Sequence, residues 1–283
     1  MIRKKSFEDT CPTLYLVPTP IGNLQEMTPR ALDVLKEVDI IAAEDTRNTK
    51  KLLMAYQIQT PLMSHHEHNQ QESVPKILSL LNEGKSIAVV SDAGYPLISD
   101  PGQRLVKEVI GNDYPVVSVS GANAAMNALV ASGLSTQHYL FYGFLDAKSS
   151  KRKKQLKTLE TLPYTIIFYE APHRITSTLE DILEVFGNRT MCLARELTKL
   201  HEEYIRGTVE EVLSVSDSLK GEMVLVVEGY IEQEKEIDMD EACQKVDFYI
   251  NQGMKTKQAV TTVASEIGCK KNELYDYYHK NKD

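Results

Sequence analysis

The 283-residue chain has few cysteines, and those it has are far apart. Cys11, Cys192, Cys243 and Cys269 form no CxxC pair and have no nearby histidine at the spacing of a zinc site. Isolated cysteines of this kind are typical of reduced thiols in a cytosolic protein. We therefore expect neither disulfide bonds nor a bound metal.

Long apolar runs and excess positive charge are also absent. No stretch approaches the roughly 20 apolar residues of a membrane span, and the charged start MIRKKSFEDTCPT is followed by no apolar segment. The formal net charge of −8 argues against a general coating of nucleic acid or anionic membrane, but it leaves room for a local basic patch. We expect a cytoplasmic protein, and a hydrophobic content of 42% is sufficient for a sizeable core.

Two common nucleotide-binding motifs are missing as well. The chain contains neither the dinucleotide fingerprint GxGxxG nor the phosphate-binding pattern GxxxxGK[ST]. The sequence therefore argues against a dinucleotide or nucleoside triphosphate held in the usual way.

Short apolar runs rich in β-branched residues are what the chain does contain. In the first half they alternate with amphipathic stretches near 29–37, 70–83 and 102–110, a pattern that predicts an α/β fold. The runs of the first half are 13–17, 39–43, 87–91 and 116–119. A second series is more closely spaced, which favours antiparallel pairing in part of it, and comprises 139–144, 164–169, 191–194, 204–207 and 223–228.

These two series predict two α/β domains with a ligand cleft between them, followed by a helical tail. We place the domains at 11–125 and 126–230, with the boundary within a helix or at its exit. After Gly229 the composition shifts to the acidic stretch IEQEKEIDMDE, which predicts a linker before a tail at 235–283.

Three loops in the first half are rich in small residues and proline. They are PTPIGN at 18–23, SDAGYPLISDPG at 91–102 and SVSGANAA at 118–125, and each directly follows an apolar run. Ligands collect at the carboxyl ends of the strands in open α/β sheets, so three such loops predict one ligand cleft. In the second loop we expect Pro96, Pro101 and Gly102 to fix the shape. The alternative is that these are ordinary strand-to-helix turns.

Three charged or polar segments have more than one interpretation. SHHEHN at 64–69 suggests a metal site, but adjacent histidines in an extended segment point to opposite faces, which argues against a metal; an active-site or RNA-facing loop and a plain hydrogen-bonded loop are the two alternatives. The run KSSKRKKQLK at 148–157 carries six cations, which suit a phosphate backbone or a solvated helix face. Residues 253–275 predict two helices joined by a glycine-containing turn, either a helix-turn-helix or a small helical cap.

The loops also carry a resemblance. The chain resembles the tetrapyrrole methylase superfamily of S-adenosylmethionine-dependent methyltransferases, and more closely its branch that methylates small-subunit ribosomal RNA. The matching stretches follow in family order over most of residues 13–230. They are LYLVPTPIGNLQEMTPRA, EDTRNTKKLL, HEHN, SDAGYPLISDPG, SGANAAMNALVASGL, FYEAPHR, ARELTKLHEE and GEMVLVVEG.

The resemblance implies a fold, a cofactor and partners. It implies two α/β domains that hold S-adenosyl-L-methionine in the cleft between them, usually in a homodimer. The implied reaction is 2′-O-methylation of a cytidine ribose in the decoding region of 16S ribosomal RNA, without a metal. The chain departs from tetrapyrrole enzymes in its first loop, where PTPIGN replaces a glycine-rich turn, which puts a tetrapyrrole substrate in doubt.

Site residues follow from the same resemblance, position by position. The implied donor contacts are Pro20, Gly22, Ser91, Asp92, Ala93, Gly94, Leu97, Ile98, Asn123, Ala124, Tyr169, Glu170 and Leu197, with Pro18 and Glu196 close by. With RNA as the substrate, the basic run favours phosphate contacts from Lys151, Arg152, Lys153 and Lys154, together with Arg174.

Methyl transfer to a hydroxyl needs alignment and a group that handles the departing proton or the developing negative charge. Charged clusters at or beside strand ends are AEDTR (Glu44, Asp45, Arg47), YEAPHR (Glu170, His173, Arg174) and ARELTK (Arg195, Glu196, Lys199). Our hypothesis makes Lys199 the base or alkoxide stabiliser, with Glu196, Arg47 and His173 as further candidate catalytic groups and Arg47 and Arg174 on phosphates. The alternative is that Arg195, Glu196 and Lys199 form ion pairs across a domain interface.

Three functions remain open from the sequence. The first is the RNA ribose methyltransferase. The second is a methyltransferase of the same superfamily that acts on a tetrapyrrole or a protein side chain. The third is a nucleic-acid-binding regulator that uses the helical tail.

Overall fold

The computed structural model describes residues 11–100, 102–232 and 238–280. Its internal contacts divide the chain into two units after Tyr230. The first unit contains two five-stranded sheets, and the second contains three helices. Among the described residues, no helix is both long enough and apolar enough to cross a membrane.

The first sheet is entirely parallel. Its strands are β1 (Leu14–Leu16), β2 (Ile40–Ala43), β3 (Leu62–Ser64), β4 (Ile87–Val90) and β5 (Val116–Ser118), in the order β3-β2-β4-β1-β5. The helices between them are α1 (Pro29–Glu37), α2 (Thr46–Ala55), α3 (Gln70–Asn82) and α4 (Gln103–Gly111). Because β4 is buried on both faces, it is a continuous apolar run rather than an alternating one.

Separate apolar clusters cover the two faces of this sheet. One contains Leu35 and Leu53 from α1 and α2, and the other contains Ile77 and Leu105 from α3 and α4. Helix α2 begins where Asp45 accepts a hydrogen bond from the Arg47 backbone N–H, an N-cap that fixes this charged pair at the end of β2.

The second sheet is mixed, as the closely spaced strands suggested. Its strands are β6 (Tyr139–Phe144), β7 (Thr165–Glu170), β8 (Thr190–Arg195), β9 (Glu203–Thr208) and β10 (Met223–Val227), in the order β6-β7-β10-β8-β9. Only β6 and β7 pair in parallel. One face packs against α6 (Ser149–Lys157), α7 (Ile175–Phe186) and α8 (Val209–Val215).

Helix α5 (Ala124–Ser132) covers the other face of the second sheet. Its residues Ala125, Ala128 and Leu129 cluster with Ile167 and Val226. The break between the two sheets therefore falls at the beginning of this helix, and the helix itself belongs with the second sheet. The division at residue 125 that we predict from the sequence cuts through its first turn.

The predicted strands of both series are confirmed to within two residues of each end, while the sequence predicts neither strand β3 nor helices α2, α7 and α8. In the second unit, α9 (Met239–Asn251), α10 (Thr256–Ile267) and α11 (Lys271–Lys280) share an apolar cluster. Gly268 adopts a left-handed conformation at the end of α10, so the predicted glycine-containing turn between two helices is present. Residues 235–237 and 281–283 of the predicted tail lie outside the described residues.

Candidate functional site

The three small-residue loops meet at the carboxyl edge of the first sheet. Thr19 and Gly94 exchange two backbone hydrogen bonds, and the Thr19 hydroxyl donates to the Ser91 carbonyl at 3.1 Å. The third loop joins through the Gly121 N–H, which donates to the Tyr95 hydroxyl oxygen at 3.1 Å. The expectation that these loops lie together is confirmed, which makes this edge the place to look for a ligand.

A cavity of about 380 Å³ opens between these loops and the strand ends of the second sheet. This volume lies within the usual range of small-molecule sites. Nine of the implied donor contacts line it, namely Asp92, Ala93, Gly94, Ile98, Asn123, Ala124, Tyr169, Glu170 and Leu197. The structure therefore brings together residues that are more than 100 positions apart in the sequence.

Leu97 lines neither this cavity nor the smaller one beside it. Its backbone is left-handed, and its side chain packs against Gly102. The side chain of Leu97 is thus not part of the lining of either cavity, and its role as a donor contact stays a prediction. Pro101, which we expected to help fix this loop, lies outside the described residues.

The smaller cavity, of about 160 Å³, lies between the first loop and helix α2. It is lined by Thr19, Pro20, Gly22, Leu24, Asn48, Thr49, Leu52, Ser91 and Asp92. Three implied donor contacts, Pro20, Gly22 and Ser91, face this cavity and not the larger one. Asp92 lines both cavities, so the two are immediate neighbours.

Carboxylates form one wall of the larger cavity. Burial, followed by the charges of Glu44 and Asp92, raises the pKa of Asp100 to about 6. The pKa of Glu44 is also raised, first by burial and then by Asp92. Asp100 was missed as a site residue, although it lies inside the second loop. A raised carboxyl pKa in a cleft marks a wall that attracts positive charge once it ionises.

Lys199 lines neither cavity itself but contacts one lining residue of each, Gly22 of the smaller cavity and Glu222 of the larger one. Its ammonium donates to Glu196 Oε1 and Glu222 Oε2, both at 2.9 Å. Its stem lies against Gly22, where a Cβ atom would come within 2.5 Å of Lys199 Cγ. Burial opposes the charged form, but the hydrogen bonds to the two glutamates outweigh it and raise the pKa of Lys199. The Lys199 side chain is therefore protonated and fixed in position by the two glutamates, and it is not a neutral amine.

The turn that carries Lys199 is strained. Glu196 and Thr198 have positive φ angles of 51° and 69°, which cost free energy in residues other than glycine. The Glu196 carboxylate fits only because Gly221 has no side chain, since a Cβ atom there would overlap Oε1. The sequence does not mark Glu222 as a site residue, apart from its position in the matching stretch GEMVLVVEG.

Arg47 and His173, two candidate catalytic groups, are exposed. Arg47 forms a salt bridge with Asp45 at 2.7 Å, and this pairing lowers the pKa of Asp45 to about 2. His173 follows Ala171 and Pro172, which line the larger cavity, but it does not line either cavity itself. The chemistry at the cavity junction thus centres on Lys199 with Glu196 and Glu222.

Glu170 and Arg174, two residues of YEAPHR that were predicted to contact a ligand, form hydrogen bonds within the protein. Arg174 donates to Glu170 through Nε and Nη2 and to the Leu145 carbonyl through Nη1. The Glu170 carboxylate also accepts from the Thr178 hydroxyl and the Ala171 N–H. The structure therefore corrects the RNA-contact prediction for Arg174 and gives the Glu170 carboxylate the role of holding this turn.

The basic run forms helix α6, and one of its cations is buried. Arg152 is only 1% exposed and donates to Asp181 Oδ2 at 2.6 Å, so its prediction as an RNA contact is wrong. Lys153 is half-buried and lies 2.5 Å from Glu184. Lys151 and Lys154 are exposed and remain available to a partner.

The histidine-rich segment lies at the carboxyl ends of β2 and β3. His65 is buried, and its Nδ1 is 2.8 Å from the Ser73 hydroxyl. Burial, followed by the charge of His66, lowers the pKa of His65. Within the described part of the chain, no three side chains of the metal-binding types are grouped as a metal site would require. His65 Nε2 and His66 Nδ1 are buried without a hydrogen-bond partner among the residues that the structure describes, so hydrogen bonds account for only part of this loop.

Comparison with known proteins agrees with this geometry. The family model of the tetrapyrrole (corrin/porphyrin) methylases matches residues 13–213. The chain is 50% identical over 275 residues to "Ribosomal RNA small subunit methyltransferase I" of Bacillus subtilis (strain 168), a match that covers 94% of each chain. It is 44% identical over 282 residues to the protein of that name from Escherichia coli O157:H7, with 98% of each covered.

Solved structures share the fold at low sequence identity. A cobalt precorrin-4 methyltransferase aligns with a TM-score of 0.58 at 15% identity and covers 76% of this chain and 94% of its own. A uroporphyrin-III-C-methyltransferase from Thermus thermophilus aligns with a TM-score of 0.55 at 21% identity, over 76% and 94% of the two chains.

Proposed function

Because the chain belongs to the tetrapyrrole methylase family, and within it to the ribosomal RNA small subunit methyltransferase I group, we propose that it methylates small-subunit ribosomal RNA. The methyl donor is S-adenosyl-L-methionine, and the acceptor is the ribose 2′-hydroxyl of a cytidine in the decoding region of 16S RNA. The observation that supports this proposal most directly is Lys199, a cation bound by Glu196 and Glu222 and packed against Gly22, so that it contacts lining residues of two adjoining cavities.

The larger cavity is suited to the donor. Its lining combines the loop residues Ala93, Gly94 and Asn123 with the apolar residues Ile98 and Leu197, which fits an adenosine and an amino-acid tail. The carboxylate wall suits a positively charged sulfonium, which supplies the methyl group when the donor is bound. The donor-binding set that we propose comprises Ala93, Gly94, Ile98, Asn123, Ala124, Tyr169 and Leu197, with Asp92 and Asp100 on the wall.

The acceptor hydroxyl lies, on this proposal, in the smaller cavity beside Gly22 and Lys199. The Lys199 ammonium stabilises the negative charge that develops on the oxygen as its proton leaves. Glu222 is exposed beside this ammonium and can pass the proton to solvent. Lys199 acts as a cation because its two glutamate partners raise its pKa, which favours alkoxide stabilisation over general-base catalysis.

The RNA partner rests on kinship with the ribosomal RNA enzymes. The homodimer remains an expectation from the family resemblance of the sequence. Lys151, Lys153 and Lys154 remain candidate phosphate contacts on helix α6, and Arg47 is one on helix α2.

The test replaces Lys199 with methionine, which keeps the stem and removes the charge. We expect the rate of methyl transfer to small-subunit RNA to fall by about 10²–10³-fold, the usual effect of losing one oxyanion-stabilising group. The affinity for S-adenosylhomocysteine, measured by calorimetry, should stay within a few fold, because Lys199 does not line the donor cavity.

Lys199→Arg and Lys76→Met complete the experiment. The arginine variant keeps the charge and should retain part of the activity. Lys76 is an exposed lysine on α3, so the same substitution there should leave turnover unchanged. Normal turnover in Lys199→Met would show that Lys199 only forms structural ion pairs and does not act in the reaction. Methylation mapped to an atom other than a ribose oxygen would overturn the proposed acceptor.

A further inference from the structure

Helix α11 of the second unit packs one side against its neighbours and exposes the other. Leu274 and Tyr278 are buried in the apolar cluster that the three helices share. The Tyr277 hydroxyl donates to Asp240 Oδ1 at 3.0 Å, and the Tyr278 hydroxyl donates to Asp247 Oδ1, so hydrogen bonds join α11 to α9. These contacts fix the rotation of α11 about its axis, and the side that faces away from them meets solvent.

The exposed side of α11 combines cations with aromatic rings. Lys271, Tyr275 and His279 follow one another at i, i+4 spacing, which places them in a line along the helix. The ring centroids of Tyr275 and His279 are 4.4 Å apart, and Tyr275 is 38% exposed. Lys270, directly before the helix, is exposed as well. We call Lys270, Lys271, Tyr275 and His279 the basic–aromatic face.

The acidic residues of α11 lie off this face. Glu273 and Asp276 are two positions and one position away from Tyr275, and residues so spaced do not face each other on a helix. Within the described part of the chain, neither Lys270 nor Lys271 forms a salt bridge. The two cations are therefore available to an anion from outside the unit.

The lysines of α6 differ from those of α11 in this respect. Lys153 forms a salt bridge with Glu184, and Lys157 forms one with Glu160 at 2.6 Å. A carboxylate that is already bound offsets part of the attraction between a lysine and a phosphate. The basic run of α6 thus has less free positive charge than its sequence suggests, whereas the cations of α11 keep theirs.

The basic–aromatic face has the chemistry of a surface for unpaired RNA. Lysines neutralise phosphates, and exposed aromatic rings stack on bases that have left the stack of a double helix. Double-stranded RNA offers phosphates to the lysines but no base face to Tyr275, because its bases are stacked inside the helix. An acidic protein surface would likewise use only the lysines.

We infer that the basic–aromatic face binds an unpaired segment of the RNA that the enzyme methylates, an inference that rests on the proposed function. Lys270 and Lys271 contact phosphates, and Tyr275 stacks on a base. Because this face and the candidate active site belong to one chain, an RNA that contacts both gains affinity through a raised effective concentration. The helical tail would thus serve substrate binding, with its effect on KM for the RNA rather than on the chemical step.

The experiment measures affinity of the full-length protein for two RNA probes by fluorescence anisotropy. One probe is a single-stranded fragment of small-subunit RNA, and the other is a fully paired duplex of the same length. For Lys270→Gln combined with Lys271→Gln, we expect affinity for the single strand to fall about fivefold to tenfold. The slope of log affinity against log salt should decrease by about 1.4, since each lost contact with a single strand contributes roughly 0.7.

Tyr275→Leu removes the ring and keeps an apolar side chain. Affinity for the single-stranded probe should fall by about fivefold or more, as for the loss of one stacked base, with an unchanged salt slope because no charge is removed. Affinity for the duplex should stay within about twofold, since a duplex has no free base to stack.

Lys245→Gln is the matched control. Lys245 lies on α9 of the same unit and pairs with Glu241 at 2.8 Å. The substitution removes one positive charge from the unit but none from the basic–aromatic face. Affinity for both probes and the salt slope should therefore stay as in the unmodified protein.

The outcomes separate this inference from the proposed function. Unchanged RNA affinity in both α11 variants, or an equal loss for single strand and duplex in Tyr275→Leu, overturns the RNA face while the methyltransferase stands. A changed oligomeric state with unchanged RNA affinity, measured by light scattering, would assign the face to a second copy of the chain and also overturn it. Absence of methyl transfer from an unmodified protein that binds the single strand through Tyr275 overturns the proposed function alone.

Discussion

At the scale of single residues, two glycines make room for the charged cluster around Lys199. A side chain at Gly22 would displace the lysine stem, and one at Gly221 would displace the Glu196 carboxylate. We therefore expect even alanine to be poorly tolerated at Gly22 and Gly221, because it would displace the Lys199 stem or the Glu196 carboxylate that binds the Lys199 ammonium. The small residues of PTPIGN are explained by what packs against them, in addition to the turn that they form.

Asp100 is the residue whose ionisation should be visible in ligand binding. Its pKa of about 6 means that the wall gains a negative charge as the pH rises from 5 to 7. S-adenosylmethionine carries a sulfonium charge that S-adenosylhomocysteine lacks, so only the former gains a Coulombic attraction from this step. We expect the affinity ratio of the two ligands, measured by calorimetry, to shift about two- to tenfold towards S-adenosylmethionine across this interval.

The direction of this pH effect follows from the raised pKa of Asp100. Burial favours the neutral form of Asp100, so the wall is less negative below pH 6 and more negative above it. Asp100→Asn has no titrating group at this position and should flatten the pH dependence of the ratio. Identical pH dependence in the variant and the unmodified protein would show that Asp100 does not face the sulfonium.

At the scale of secondary structure, helix α6 shows why a run of cations is a poor guide to a binding surface. Arg152 points inward to Asp181 on α7, and its remaining nitrogens donate to the carbonyl groups of Asp146, Ala147 and Ser177. The Ser149 hydroxyl donates to the other Asp181 oxygen at 2.9 Å. One position in the run thus joins two helices rather than facing a partner.

This buried pair leads to a stability prediction. Arg152→Ala leaves the Asp181 carboxylate buried with fewer partners, so we expect the free energy of unfolding to fall by about 3–5 kcal/mol. Lys154→Ala, two positions along on the exposed face, should change it by less than about 0.5 kcal/mol. Urea denaturation followed by circular dichroism provides the comparison, and equal effects of the two substitutions would contradict the assignment of Arg152 to the interior.

The same elements show how far sequence alone could go. Strands such as Met223–Val227 were predictable because a strand that is buried on both faces is a continuous apolar run, here MVLVV, rich in β-branched residues. Strand β3 has only three residues, LMS, and helix α2 begins with TRNTKK, so neither has an apolar pattern long enough to detect. Glu222, Asn48 and Asp100 join the site through contacts between distant loops, which no local pattern encodes.

At the scale of the whole molecule, the net charge of −8 must be reconciled with a polyanionic substrate. Net charge governs long-range repulsion, whereas affinity for RNA depends on the few cations that contact phosphates. Two basic clusters of the first unit compete for this role. Arg47, Lys50 and Lys51 flank the smaller cavity, while Lys151, Lys153 and Lys154 lie on α6.

The two clusters can be compared at constant total charge, because replacing either set with glutamine removes three positive charges. We expect the α2 triple variant to reduce the slope of log affinity against log salt by about 2, because Arg47 already pairs with Asp45, so that Lys50 and Lys51 carry most of the effect, and each phosphate that is no longer neutralised lowers that slope by roughly 0.7–0.9. The α6 variant should reduce it by about 1, because Lys153 already pairs with Glu184 and Lys151 lies 3.7 Å from Asp146. Affinity for a small-subunit RNA fragment measured over a range of salt concentrations gives both slopes. Equal slopes in the two variants would mean that the net charge of the protein, and not the position of the cations, governs RNA binding. A larger reduction of the slope in the α6 variant would mean that the RNA backbone contacts α6 rather than α2.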